Sequence, residues 1–195
     1  MEREYPIIDV AAREPHYRSV PLPELPILAR NPLHVVLDNL RSAFNVGSIF
    51  RTADAGAVAH IHLCGMTPYP PNKKLEKTAL GALDYVPWTH HADARAAIVQ
   101  LHAADVPCVA VEAVPGAAAH TAFPWPRPAA MVFGNEVTGI APEVLDLCDA
   151  TVQIPMRGYK NTINVATAFG VAMYEVLRQW EAATIHAPSS PETGG

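Results

Sequence analysis

Three stretches of the chain place hydrogen-bonding and charged side chains directly after apolar runs. Asn39 to Thr52 reads NLRSAFNVGSIFRT and holds Asn45, Gly47 and Arg51. Gly134 to Gly139 reads GNEVTG, with Asn135 and Glu136, and Ile154 to Asn164 reads IPMRGYKNTIN, with Pro155, Met156, Thr162 and Ile163. Amides and hydroxyls orient a polar substrate, glycine lets a backbone approach it closely, and an arginine grips phosphate bidentately. Missing patterns narrow the chemistry. There is no three-glycine dinucleotide fingerprint, no phosphate-cradling GK[ST] loop and no Gly-x-Ser-x-Gly, so dehydrogenase, nucleotide-hydrolase and α/β-hydrolase readings lose their main support. Each stretch also has a plain structural reading. Asn45 could cap the helix that follows it, Asn161 or Thr162 could cap the last helix, and Glu136 could satisfy backbone amides at a turn. Arg51 lies six residues into an apolar helical pattern, where a buried cation would need a partner; Glu136 is the candidate.

The elements that must position these loops alternate. Apolar runs LHVVLD (33–38), IHLCG (61–65), 85–88, PCVAVEA (107–113), AAMVFG (129–134) and TVQIP (151–155) read as strands. Helical spacing falls at 45–57, 75–80, 92–104, after Pro142, and from Asn161 to about Trp180. On that last helix Ile163, Ala166, Phe169, Met173, Val176 or Leu177, and Trp180 recur at three- and four-residue steps. Strands alternating with helices predict an α/β domain, a mostly parallel sheet with helices on both faces. Ligands in such sheets sit at the carboxyl ends of the strands, where the three loops fall. The domain is expected over 33–181, between a Pro-rich arm (1–32) and a disordered tail (182–195).

Of the 195 residues half are apolar, which fits a globular chain with a real core. No apolar run reaches the roughly 18 residues of a membrane helix, and the charged N-terminus is unlike a signal peptide. A cytoplasmic protein is expected. Three widely spaced cysteines, Cys64, Cys108 and Cys148, give no metal spacing and read as small hydrophobes. Nine histidines include His60 and His62 on one strand face, but no third ligand is suggested, so no metal is expected. The net charge of −5 argues weakly against nucleic acid. Yet Arg41, Arg51, Lys73, Lys74, Lys77, Arg157 and Lys160 are seven of the 14 basic residues and fall in or beside the loops. A local basic patch is compatible with an acidic chain.

LDNLRSAFNVGSIFRTADA, MVFGNEVTGI and IPMRGYKNTINVATAFGVAMYEV resemble, in order and spacing, the three motifs of the SpoU (TrmH-type) ribose methyltransferases of the SPOUT class. CGMTPYPPNKKLEKTALGA is similar to the tRNA/rRNA methyltransferase-like branch. The resemblance covers roughly residues 33 to 180. It implies a C-terminal deep trefoil knot, S-adenosyl-L-methionine as cofactor, a homodimer, and methyl transfer to a ribose 2′-hydroxyl of tRNA or rRNA. Carried over, Asn45, Arg51, Glu136, Thr162 and Asn164 fall on the functional positions. Gly134, Asn135, Ile154, Pro155, Met156, Thr162 and Ile163 fall on the cofactor-binding ones. Arg41, Lys73, Lys74, Arg157, Tyr159 and Lys160 are candidates for RNA. Thr162 stands where the family usually has serine. Two other readings remain: a non-catalytic, cofactor-binding RNA-binding protein of the same fold, and a generic nucleotide-binding α/β enzyme.

Overall fold

The run expected as the first strand lies beside the central strand of a seven-stranded sheet. The computed structural model describes residues 29–185, so the arm up to residue 28 and the tail beyond Ile185 lie outside the described residues. The elements run β1 (Asn31–Asp38), α1 (Ala43–Ala55), β2 (Val58–Cys64), α2 (Lys73–Ala79), α3 (Ala82–Tyr85), β3 (Trp88–His91), α4 (Ala94–His102), β4 (Cys108–Val111), β5 (Ala118–Ala119), β6 (Ala129–Phe133), α5 (Pro142–Leu145), β7 (Ala150–Gln153) and α6 (Val165–Ile185). Strand order is β3-β2-β1-β6-β4-β7-β5. Every pairing is parallel.

Alternation along each strand divides the core between two faces. Val35, Leu37, Ile61, Leu63, Met131 and Phe133 pack with α1, α2, α3 and α6, while Val36, Cys64, Cys108, Ala110 and Val132 pack with α4 and α5. β4 and β6, covered on both sides, are therefore apolar throughout, as buried parallel strands require. Cys64 and Cys108 are buried within this packing and Cys148 is half-buried.

Several sequence expectations shift. The third strand starts at Trp88 rather than residue 85, because Tyr85 closes α3. The short β5 beside β7 was not expected: two residues carry no periodicity. The last helix starts at Val165, not Asn161, and runs through Ile185. Its buried face is Phe169, Ala172, Met173, Val176 and Trp180, whereas Ile163 precedes the helix and is exposed.

His34, His60, His62 and His91 share the sheet face that carries α4, by register. His34 Nδ1 and His62 Nε2 lie 3.2 Å apart, and His62 Nδ1 and His91 Nε2 lie 3.0 Å apart. Each contact uses a different nitrogen of His62, which makes a line of rings and not a cage around one point. Burial first, then the neighbouring histidines, pushes His62 down to about 3 and His60 to about 4.

Candidate functional site

The chain leaves β1 toward β2 on one side and leaves β6 toward β7 on the other. Adjacent strands whose connections diverge open a crevice at their carboxyl ends. The loops after β1 and β6, together with the loop after β7, meet there.

Glu136 is the hub. Its Oε2 accepts the Arg41 backbone N–H at 2.8 Å; its Oε1 accepts the Ser42 N–H at 3.1 Å and the Asn45 Nδ2 at 2.9 Å. Partial burial pushes the carboxyl up, but these donors outweigh it and hold the group below its usual range. Because a carboxylate only accepts, Asn45 must present its amide nitrogen to Glu136 and its oxygen elsewhere. That oxygen accepts Asn164 Nδ2 at 3.0 Å. Asn164 Oδ1 in turn accepts the N–H groups of Ala166 at 2.9 Å and Thr167 at 3.3 Å, capping α6. A single file, Glu136–Asn45–Asn164, ties the three loops together.

The sequence reading of the caps is corrected accordingly. Ser42, not Asn45, caps α1, its Oγ accepting the Asn45 N–H at 3.2 Å. Asn164, not Asn161 or Thr162, caps α6. In the sequence, three eligible residues in four made that choice undecidable.

Asn135 organises the second loop. Its Oδ1 accepts from Val137 and Thr138, and its Nδ2 donates to the Asn39 carbonyl at 2.7 Å, joining the β6 loop to the β1 loop. Gly134 is required by close approach: a Cβ there would stand 2.4 Å from the Gly139 carbonyl carbon and the Ile140 nitrogen. Glu112, not singled out in the sequence, reaches across from the end of β4, its Oε2 accepting the Ile140 N–H at 3.0 Å. One glutamate following a strand gives no signal before its neighbours are known. Gly47 has a packing reason instead, since a Cβ would lie 2.7 Å from Thr78 Cβ where α2 crosses α1.

Arg51 does not pair with Glu136. It is exposed on α1 and, among the described residues, has no hydrogen-bond partner. The apolar spacing hid this because Val46, Ile49, Phe50 and Ala53 take the buried stripe and leave position 51 on the opposite face. Ser48, Arg51, Thr52, Ala55 and Tyr174 line an open depression of about 370 Å³.

The loop after β7 is different in kind. From Ile154 to Ile163 no backbone group makes a hydrogen bond to another described residue. Ile154 and Met156 are half-buried, whereas Pro155, Arg157, Tyr159, Lys160, Thr162 and Ile163 are exposed. Arg41, Lys73 and Lys74 are also exposed. The structure thus joins Asn45, Glu136 and Asn164 directly, and leaves Arg51 and Thr162 free of that network.

A family model, the SpoU rRNA Methylase family, matches residues 32–174. The 23S rRNA (guanosine-2′-O-)-methyltransferase RlmB of Vibrio parahaemolyticus is 32% identical over 157 residues, 78% of this chain and 62% of its own length. The tRNA (guanosine(18)-2′-O)-methyltransferase of Escherichia coli is 29% identical over 147 residues, 75% and 63% of the two chains. The structure of the SpoU methyltransferase AviRb from Streptomyces viridochromogenes, in complex with AdoMet, superposes with a TM-score of 0.72 at 26% identity, covering 79% of this chain and 63% of that one. The chain spans about three fifths of the length of these relatives.

Proposed function

Because the chain belongs to the SpoU rRNA Methylase family, we propose that it is an RNA 2′-O-methyltransferase, acting on a ribose of tRNA or rRNA. The observation that carries the reading is the Glu136–Asn45–Asn164 file, which draws the three motif loops onto one point at the β1/β6 crevice. The alternative of a silent RNA-binding protein has no specific observation in its favour.

The residues present fit S-adenosyl-L-methionine. The unengaged N–H and C=O groups of 154–163 suit the edge of an adenine and a ribose, and Ile154, Met156 and Ile163 offer apolar contact. Gly134 and Asn135 would form the opposite wall. The bound cofactor would supply an electrophilic methyl group; the protein's own task is orientation and exclusion of water. Asn45 and Asn164 each use one amide hydrogen in the file and keep a second for substrate. Thr162 adds a hydroxyl beside them. A guanidinium carries donors and no acceptor, so the role of Arg51 is to grip the phosphate next to the target ribose and set the 2′-oxygen. Arg41, Lys73, Lys74, Arg157, Tyr159 and Lys160 form the surrounding RNA surface.

The same reading includes the family's trefoil knot, formed by the loops after β6 and β7, work in the cytoplasm, and a homodimer. Exposed Phe44 on α1 and exposed Val171 and Tyr174 on α6 support a second copy near Arg51. Among the described residues no helix is long and apolar enough to cross a membrane.

The test uses the full chain, tritium-labelled S-adenosyl-L-methionine, and RNA from cells lacking the gene, followed by nucleoside mass spectrometry. A 2′-O-methylated nucleoside is expected. RNA binding without any methyl transfer would overturn the reading in favour of the silent protein.

A further inference from the structure

The loop between β2 and α2 lies at the same carboxyl edge as the site, yet no role above uses its aromatic ring. It is fastened to β1 and the loop after it at three points. The Met66 N–H donates to Asn39 Oδ1 at 3.1 Å, the Leu40 N–H donates to Thr67 Oγ1 at 3.0 Å, and the Thr67 hydroxyl donates to the Leu37 carbonyl at 2.9 Å. Asn39 is also the residue that receives Asn135, and Leu40 precedes the Arg41 whose N–H meets Glu136. Two residues beyond Thr67 stands Tyr69. Its ring lies against that of His90, centroids 4.1 Å apart and planes at 35°, and His90 Nε2 is 3.1 Å from the Gly65 carbonyl. One face of the tyrosine is thus backed while the side chain stays 45% exposed, with Met66 exposed nearby in the loop. Three residues on, Asn72 caps α2, which presents Lys73, Lys74 and Lys77 to solvent.

We propose that Tyr69, backed by the tilted ring of His90, is a stacking platform for an unpaired base of the substrate RNA, beside a phosphate track along Lys73 and Lys74. The proposal rests on the RNA methyltransferase reading and adds where a base flanking the target ribose is held. An exposed planar ring followed within one helical turn by cations suits a polyanion carrying π-faces, the pairing by which single-stranded nucleic acids are held. It does not suit an apolar protein partner, which would leave the lysines unmatched. RNA recognition characteristically uses splayed bases on aromatic side chains.

The test compares Tyr69→Ala, Tyr69→Leu and Tyr69→Phe in the full chain, with bulk tRNA and bulk ribosomal RNA as probes. Affinity for RNA is expected to fall about 5- to 150-fold in Tyr69→Ala, the equivalent of about 1–3 kcal/mol per stacked base. Tyr69→Phe should retain it, and Tyr69→Leu should not. The salt dependence of binding should keep its slope, because the phosphate contacts remain; S-adenosyl-L-methionine affinity and thermal stability should be unchanged. An active parent whose Tyr69→Ala variant binds RNA equally well, whose Tyr69→Leu variant matches Tyr69→Phe, or whose salt slope drops with the tyrosine, overturns the platform alone. A parent that neither binds nor methylates either RNA overturns the functional reading, and the platform with it.

Discussion

Replacing Glu136 by Gln keeps size and shape but removes the charge on which three loops converge. The carboxylate accepts three donors: the Arg41 and Ser42 N–H groups and the Asn45 amide. A glutamine has one acceptor oxygen. Placed at the Oε1 position it keeps Ser42 and Asn45, but its NH₂ then faces the Arg41 N–H, donor against donor. A hydrogen bond to a charged group contributes about 1.5–3 kcal/mol. Losing one and weakening two would sum to several kcal/mol in a dry site, but Glu136 is solvent-exposed and screening reduces this to about 1–2 kcal/mol. Denaturant unfolding at neutral pH should show that deficit. Its pH dependence is the sharper check. Glu136 titrates below its ordinary value, so its contribution is fully present above the unfolded-state value of about 4.3 and is lost as pH falls through the lower folded value. Stability of the parent should therefore approach that of Glu136→Gln in acid. A deficit of equal size at neutral and acid pH, or no deficit at all, would refute the assignment of Glu136 as the charged hub.

Arg51→Ala removes a side chain with no partner among the described residues; unfolding free energy should move by no more than about 0.5 kcal/mol, while methyl transfer to RNA falls by about 100-fold or more. Asn164→Ala should lose the α6 cap and about 1 kcal/mol, seen by thermal unfolding. Asn164→Asp can keep the cap but cannot donate to Asn45, so it should recover stability and not activity. In Gly134→Ala the new Cβ meets backbone at 2.4 Å; the turn must shift, costing about 1–3 kcal/mol, and calorimetric titration should show weakened S-adenosyl-L-methionine binding. His62, buried and held at about 3, stays neutral in the fold while the unfolded chain takes up its proton below about 6.5. Stability should fall from there toward pH 3, and a plot of unfolding free energy against pH should be shallower for His62→Gln.

The order of strands and helices was legible because buried parallel strands are apolar and the intervening helices carry their own period. Boundaries failed where two signals competed. Tyr85–Trp88 has strand composition, but its first residue serves α3. Asn161, Thr162 and Asn164 can all cap a helix, and only the partner on Asn45 selects Asn164. Arg51 shows the limit differently. Its place among apolar neighbours suggested a buried cation, although a helix turns about 100° per residue and 51 points away from the stripe. Glu136 had two readings in the sequence, a support for turn amides and a partner for Arg51. The first is the one observed. Pairings between loops 28 to 96 residues apart have no local signature, which is why the Glu112–Ile140, Asn135–Asn39 and Glu136–Asn45 contacts emerge only from the fold.

The site divides into a fixed wall and an adaptable one. Glu136, Asn45, Asn164 and Asn135 are each held by at least two hydrogen bonds and cannot turn without breaking a cap or a loop junction. Among the described residues the segment 154–163 makes no such bonds, which leaves its polar backbone available to a ligand. A rigid wall sets the direction of attack, which tolerates little error; a loose wall can close around a cofactor and release it. Thr162, where the resemblance implies a serine, lies on the loose wall. Its extra methyl can be accommodated by movement of the loop, so Thr162→Ser should alter cofactor affinity before it alters the methyl-transfer step. Single-turnover kinetics with saturating cofactor separates the two. A slower or faster transfer step with unchanged affinity would move Thr162 to the rigid wall.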